Sequence, residues 1–258
     1  MRSLLNKPHR TAAEGVWRLR GLRLAAPGQP GRLIWNERPL AYADGSAAFQ
    51  QLHEIFVAHV YDFVCATPQP RILDCGAHTG LAVLRWRQLH PGARITAIEA
   101  DPAIAALLRE NVRAWNDSET EVINAAAWTH DGEVRFAATG QDNGLVSADG
   151  TRVIPALDLA RLCREPVDLL KLDIEGAEAV VVAHLAATGA LKNVRALVCE
   201  WHEWGAAAPR LHEALAQLAA AGLTYRIAHA DTLGDRATAV FPQLRHPGNQ
   251  LMIYAWQA

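Results

Sequence analysis

The sequence predicts an α/β protein built on a doubly wound, mostly parallel sheet. Three observations carry that expectation. From Arg71 onward, short apolar runs alternate with stretches of helical spacing: "RILDC", "RITAIEA", "VDLLKLD" and "VRALVCE" read as strands and the segments between them as helices. Those strands are apolar almost throughout rather than at every second residue, the pattern of strands covered on both faces. The first of them runs into a glycine-containing turn, "LDCGAHTG" (Leu73 to Gly80), which opens a helix. Ligands of open α/β sheets bind beyond the carboxyl ends of strands, so a site is expected there.

The elements follow in order. Val16 to Trp35 reads as β-like, with Trp17 and Leu19 alternating against Arg18 and Arg20, a bulge at Gly21, a turn at "APGQPG" and a second strand at "RLIWN". Arg18, Arg20 and Arg23 then form a basic stripe that either meets an acidic substrate or, the favoured reading, is a solvated strand face that discourages edge pairing. Asp44 to Val64 reads as a helix with Leu52, Ile55, Phe56, His59 and Val60 on one side. Helices are expected over Thr79 to Leu89 and Pro102 to Trp115, the latter with Asp101 as N-cap and Pro102 at its first position. "TEVINAAAW" reads as a strand joined across "THDG" to "EVRFAA". A helix starts at Ala177, another runs from Pro209 to Ala221 and stops at Gly222, and "LTYRIAH" and "QLMIYAW" close the chain as strands. This divides the protein into an N-terminal β extension over residues 1–45 and one larger domain over 46–258.

Composition narrows the function classes. Half of the 258 residues are hydrophobic and the net charge is −2, which argues against a polyanion binder and hence against a nucleic-acid partner. No apolar run reaches the ~18 residues of a membrane span, and "MRSLLNKPHR" is too short and polar for a signal peptide. The four cysteines lie far apart with no C-x-x-C. The expectation is a soluble cytoplasmic protein with no membrane partner.

The turn offers Gly76 and Gly80 in a G-x-x-x-G spacing, flanked by Asp74, Ala77 and His78. A dinucleotide fingerprint needs a third glycine, and a P-loop needs a lysine that is not here. Asp74 is a poor neighbour for pyrophosphate and a good one for a cation. The next strand ends in Glu99 and Ala100, where doubly wound folds place the acid that accepts hydrogen bonds from ribose hydroxyls. Asn124 and Ala125 end the strand after that, where an amide and a small side chain border an adenine; Trp128 either joins them or belongs to the core. A nucleoside that carries a positive charge and no phosphate fits all three, and S-adenosylmethionine is such a molecule.

With these residues in view, the chain resembles the FkbM family of S-adenosylmethionine-dependent methyltransferases over about Glu54 to Ala255. "HEIFVAHVYDF" is similar to the family's leading helix, "ILDCGAHTG" to its cofactor turn, and "AIEADP" to its ribose-binding strand end. "VIPALDL" followed by "VDLLKLDIEGAE" resembles its most specific signature, "VCEWHEWG" a later Glu-x-His element, and "HPGNQLMIYAW" the closing strand. His78 stands where the family more usually has Asn. The resemblance implies a Rossmann-like class I methyltransferase fold and O-methylation of a small hydroxylated acceptor, a secondary metabolite or sugar. N-methylation of a peptide or glycan group, or a non-catalytic nucleoside-binding or assembly role on the same fold, are the alternatives.

A second cluster bears on the chemistry. An alcohol that takes a methyl group must lose a proton, to a base or with a metal's help. Asp173 ends an apolar strand on the same sheet edge as the glycine turn, followed by Glu175 and by Glu178, a helix-start acid. Glu200 and His202 alternate onto one side of the next strand, with Trp201 opposite. Asp173, Glu200 and His202 are therefore expected to meet. Asp173 or His202 then acts as general base, or the three hold a divalent cation, or His202 merely orients a loop through a neighbouring carboxylate. His246 and Asn249 either close the pocket or shape a turn. Acceptor specificity is expected in the extension and in the loops from Gln141 to Ser147, Trp201 to Ala208 and Ala230 to Pro247.

Overall fold

A computed structural model describes residues 11–25, 28–137, 144–147, 149–204, 210–229 and 248–257. Its centre is a seven-stranded sheet of β3 (Arg71–Cys75), β4 (Arg94–Glu99), β5 (Thr120–Asn124), β10 (Leu169–Leu172), β11 (Ala196–Trp204), β12 (Leu223–His229) and β13 (Gly248–Gln257), in the order β12-β13-β11-β10-β3-β4-β5. Strands β5 to β11 in that row run parallel, and β13 inserts antiparallel between β11 and β12. The chain leaves β3 in one direction through β4 and β5, then returns to build β10 and β11 on the other side. The carboxyl ends of β3 and β10 therefore flank the point where winding reverses, which is where such sheets leave a crevice.

Both faces of the sheet are buried. Ile72 and Leu73, adjacent in β3, fall in separate apolar clusters on opposite faces, as the two-residue period of a strand requires. Helices α2 (Gly45–Phe56), α3 (Leu81–Leu89) and α4 (Pro102–Ala114) contribute to the first cluster. Helices α6 (Glu178–Ala187) and α7 (Leu211–Ala220) contribute to the second, with the one-turn helix α5 (Leu159–Leu162). The expected start of α4 is present: Asp101 Oδ1 accepts from the amide of Ala103 at 2.7 Å, with Pro102 in the first turn. Among the described residues no helix is long and apolar enough to cross a membrane. All four cysteines are free thiols, and Cys75, Cys163 and Cys199 are buried.

The structure corrects three expectations. Residues 16–20 are not a strand. Ala12–Arg18 is a helix, α1, capped by the Thr11 hydroxyl, with Val16 and Leu19 buried one turn apart and Glu14 paired with Arg18. A short helix and a strand cannot be told apart over five residues when apolar residues fall at both spacings. Gly21 lies in a 3-10 turn, Arg20–Leu24. The three arginines do not share a strand face: Arg18 meets Glu14, Arg20 stacks on Trp17 and Arg23 on Phe49. The β character of the extension is confined to a hairpin, β1 (Gly31–Trp35) and β2 (Arg38–Tyr42), joined by Asn36 and Glu37, both at positive φ as a two-residue hairpin turn demands. Its Trp35 and Leu40 share one core cluster with Ile72 and Trp86 of the larger part.

The second correction is the end of α2, at Phe56 rather than Val64. His59 adopts φ 59°, the Ala58 amide reaches back to His53 O at 2.9 Å, and the Val60 amide to Glu54 O at 3.1 Å. That is a left-handed helix stop, a role glycine usually fills. It turns the chain so that Tyr61 comes back over the sheet. The third correction divides "TEVINAAAW", which is not one strand: β5 ends at Asn124, and β6 (Ala126–Trp128) follows in another sheet together with β7 (Gly132–Ala137). Both pair with β9 (Arg152–Asp158), an unforeseen strand, in a separate sheet of order β6-β9-β7-β8, with β8 at Leu145–Val146.

Candidate functional site

A cavity of about 210 Å³ opens beyond the carboxyl ends of β3, β4, β10 and β11. Its two ends are built differently.

At the β3–β4 end the backbone dominates. Gly76 has φ 81°, and a Cβ there would lie 1.7 Å from the carbonyl oxygen of Asp173, so the turn presses directly against the tip of β10. Gly80, at φ 92°, serves packing: its Cβ would meet Leu108 at 2.7 Å. The amides of the turn are already committed. Gly76 N and Ala77 N both donate to Ile98 O, at 2.9 and 3.0 Å, Gly80 N donates to Ala77 O, and His78 N donates to Glu99 Oε2 at 2.9 Å. A phosphate cradle needs such amides pointing at its ligand; here they hold the turn to β4.

Glu99 is buried, with its second oxygen accepting from Asp101 N at 2.8 Å. Burial pushes its pKa up, against the lowering pull of His78 and the two amides. Each carboxylate oxygen can accept a further hydrogen bond, so Glu99 remains able to take hydroxyl donors. Beside it, Ala100, Ile104, Ala125, Ala126, Phe136 and Val146 wall an apolar slot. Carboxylate acceptors next to an apolar slot, with no lysine or arginine among the described residues that wall it, suit a ribose and an adenine and do not suit a diphosphate. The donor set thus fits S-adenosylmethionine.

Of the expected cofactor residues, Gly76, Ala77, His78, Glu99, Ala100 and Ala125 line this cavity. Asp74, Gly80 and Asn124 stand behind it. Asp74 does meet a cation, but it is a lysine of the protein: Lys171 is its register partner on β10, on the same sheet face, at 3.1 Å and fully buried. The Asn124 amide donates to Glu99 O at 2.8 Å and Ala100 O at 3.1 Å, fixing the strand end rather than facing into the slot. Trp128 packs against the second core cluster.

At the β10–β11 end side chains dominate. Lys171 Nζ contacts Gly76 O at 2.7 Å, Asp74 Oδ1 at 3.1 Å and Asp173 Oδ2 at 3.3 Å, three acceptors for its three protons. Burial alone would lower its pKa; the charges of Asp74 and Asp173 reverse that and raise it. Tyr61 Oη lies 3.2 Å from Asp173 Oδ2 and 3.2 Å from Glu200 Oε2. Burial, then the charge of Asp173, lifts the Glu200 carboxyl to about 8.

His202 sits one layer deeper, buried and outside the cavity wall. Its Nδ1 is 3.0 Å from Glu178 Oε1, while Nε2 is 3.8 Å from both Glu175 and Glu200. Burial would lower its pKa, but the Glu178 hydrogen bond and charge outweigh it and raise it to about 9. Glu178 is thus more than a helix-start acid: it also accepts from the amides of Ile174 and Gly176 and closes the turn after β10. The expected trio of Asp173, Glu200 and His202 does gather. Among the described residues, however, the three groups whose ligand atoms lie within 4.8 Å of one another are Asp173, Glu175 and His202.

Tyr61 and Lys171 were missed by sequence reasoning. A lysine two residues before a strand-tip aspartate, in register with a second aspartate, was a signal for Lys171. Tyr61 had none short of knowing where α2 stops. His246, the loop from Ala230 to Pro247, residues 205–208 and residues 141–143 of the Gln141 to Ser147 loop fall outside the described residues, as does the side chain of Asn249.

Residues 74–227 match the family model of the methyltransferase FkbM domain. The chain is 28% identical over 192 residues to methyltransferase sdnD of Sordaria araneosa, covering 58% of this chain and 74% of that protein. It is 27% identical over 141 residues to the 2-O-methyltransferase NoeI of Sinorhizobium fredii, covering 45% and 57% respectively. In fold it is similar to an FkbM methyltransferase from Methylobacillus flagellatus (TM-score 0.50, 13% identity, 81% of this chain and 54% of that one). It is also similar to a SAM-dependent methyltransferase from Agrobacterium tumefaciens (TM-score 0.51, 13% identity, 90% and 71%).

Proposed function

Since the chain belongs to the FkbM methyltransferase family and is an S-adenosylmethionine-dependent methyltransferase, we propose that it methylates a hydroxyl oxygen of a small molecule, with Asp173 as the general base. One observation carries this reading. Asp173 lines the same cavity as Glu99, keeps 23% of its side chain exposed, and has the Lys171 ammonium 3.3 Å away.

S-adenosylmethionine supplies a methyl group already activated by its sulfonium. What remains for the protein is alignment, exclusion of water and removal of one proton. Glu99 and the Ala100–Ala125–Phe136 slot hold the nucleoside. Asp173 takes the acceptor's hydroxyl proton as the new C–O bond forms, and the electron pair of the breaking S–C bond stays on sulfur. The similarity to NoeI, a 2-O-methyltransferase, supports oxygen as the target.

A metal-assisted version draws on the gathering of Asp173, Glu175 and His202. It is the weaker reading, because His202 lies outside the cavity wall that Asp173 and Glu175 line, with its Nδ1 taken up by Glu178 at 3.0 Å. Chelation that abolishes transfer, with restoration by one added divalent ion, would establish it. The oxygen assignment is tested by incubating the protein with methyl-labelled S-adenosylmethionine and a panel of sugars, phenols and amines, then locating the label by NMR. Label on oxygen is expected. Label on nitrogen overturns the assignment.

A further inference from the structure

We infer that one face of α2, carrying Gln50, Gln51 and Glu54, is the acceptor-recognition wall, and that it selects a polyhydroxylated, sugar-like acceptor over one with a single hydroxyl. The inference rests on the proposed transfer to a hydroxyl and adds the class of molecule that bears it.

Helix α2 has two distinct sides. Phe49, Leu52, Ile55 and Phe56 are buried in the first core cluster. Ala47, Gln50, Gln51 and Glu54 fall at i, i+3, i+4 and i+7, one stripe of a helix, and all four line the cavity. The polar side of an amphipathic helix ordinarily meets bulk water. Here it forms a wall of the cavity that also holds Glu99 and Asp173.

The stripe is braced by its own hydrogen bonds. Gln50 Nε2 donates to Glu54 Oε1 at 3.0 Å, and Gln51 Oε1 lies 3.0 Å from His78 Nδ1 in the glycine turn. Glu54 sits toward the β10–β11 end, where its charge acts on both Tyr61 and Glu200. The wall therefore spans from the cofactor turn to the neighbourhood of Asp173. An acceptor lies along that stretch when its hydroxyl meets both the methyl group and the base.

The side chains on this wall suit hydroxyls. A carboxylate accepts at about four lone-pair sites, and Gln50 occupies one of those on Glu54. The Gln50 carbonyl oxygen accepts as well, and the Gln51 amide nitrogen donates. Acceptors and a donor on adjacent turns match a row of hydroxyls, since each hydroxyl can do both. A molecule with one hydroxyl places it at Asp173 and lays an apolar body against the wall. A site built to hydrogen-bond a hydroxyl rejects the analogue that lacks it, because its own polar groups are left unpaired. A polyol places one hydroxyl at Asp173 and others along α2. The wall also precedes residues 74–227, the span that matches the family model. Cofactor turn and base thus belong to the shared part of the chain, and acceptor recognition to a segment outside it.

The test uses the full chain, methyl-labelled S-adenosylmethionine and two probe sets: methyl glycosides of hexoses, deoxyhexoses and amino sugars, and phenols and monohydric alcohols. Transfer to glycosides in preference is expected. Glu54→Gln and Gln50→Ala should keep the wild-type melting temperature and S-adenosylhomocysteine affinity. Glu54→Gln should raise KM for the glycoside about tenfold, the scale of one charge-assisted hydrogen bond, with Gln50→Ala moving it in the same direction. In both, kcat should stay within about twofold, the signature of lost ground-state binding rather than of a structural fault. Preference for the single-hydroxyl set, no transfer to any glycoside, or a KM that neither variant moves overturns the inference. Label on the nitrogen of an amino sugar, with the KM effect kept, would defeat the oxygen reading and leave this wall in place.

Discussion

The two ends of the cavity solve their problems with different material. At the β3 end, backbone amides and a glycine fix the shape, and the Glu99 side chain is held by amides on either side. At the β10 end, Lys171, Tyr61, Asp173, Glu200, Glu178 and His202 arrive from separate parts of the chain and fix one another. The difference teaches where robustness lies. A backbone-built end should tolerate many side chains and fail on a single added carbon. A side-chain-built end should keep its fold through substitution and fail in chemistry.

The sharpest break of that contrast is Gly76→Ala. The added Cβ meets backbone, not a flexible side chain, at a positive φ. The expected loss is more than about 4 kcal/mol, the exceptional end of single-residue effects, read by chemical denaturation. A loss under about 1 kcal/mol would show that the turn can back away from Asp173 and that the two ends are not in hard contact.

Next in size is Asn111→Leu. Asn111 is buried and serves Ala41 N, Ala41 O and Thr79 O, tying the hairpin to the helix start behind the turn. Three backbone groups lose their partner, so about 3 kcal/mol of stability should go. S-adenosylhomocysteine affinity, measured by calorimetry, should fall as well if the hairpin braces the turn.

Glu99→Gln should weaken S-adenosylhomocysteine about tenfold, the scale of one charge-assisted hydrogen bond. The amide offers one acceptor oxygen where the carboxylate offered two, and two backbone donors already claim both. Unchanged affinity would remove Glu99 from the ribose contact.

The contrast was also a contrast in legibility. The backbone-built end could be read because its determinants are local: glycine spacing, an acid at the next strand end, Asp101–Pro102 opening α4. The side-chain end could be read only in part. Asp173, Glu200 and His202 sit at strand tips, and strand period placed them. Tyr61 depends on a helix stop made by histidine where glycine gives the usual signal, and no residue pattern announces it. Lys171 looked like an interruption in an apolar strand until the register set it beside Asp74. The N-terminal helix was mistaken for a strand because five residues satisfied both periods. Asn124 was read as facing the ligand, since a strand-end amide can turn either way and only the positions of Glu99 O and Ala100 O decide it.

The smallest expected effect is the pH dependence of stability. Folding raises His202 from 6.5 to about 9 and Glu200 from 4.5 to about 8. Both groups hold protons more tightly when folded. Their contribution is fully present below the unfolded values and is lost as the pH climbs through the folded ones. The melting temperature should therefore decline from about pH 6.5 to pH 9, and Glu178→Gln should flatten the His202 part of that decline. A melting temperature that rises over this range would mean that neither proton is held as described.

The account's central claim is that the cavity joins a nucleoside-holding end to a proton-removing one, and Asp173→Asn tests it most directly. Calorimetry with S-adenosylhomocysteine, paired with label transfer from methyl-labelled S-adenosylmethionine to the acceptor found in the panel, reads both ends in one variant. The prediction is binding within about threefold of wild type and transfer reduced at least about 100-fold, the usual worth of a positioned base. Transfer at the wild-type rate, or loss of binding equal to the loss of transfer, would contradict it.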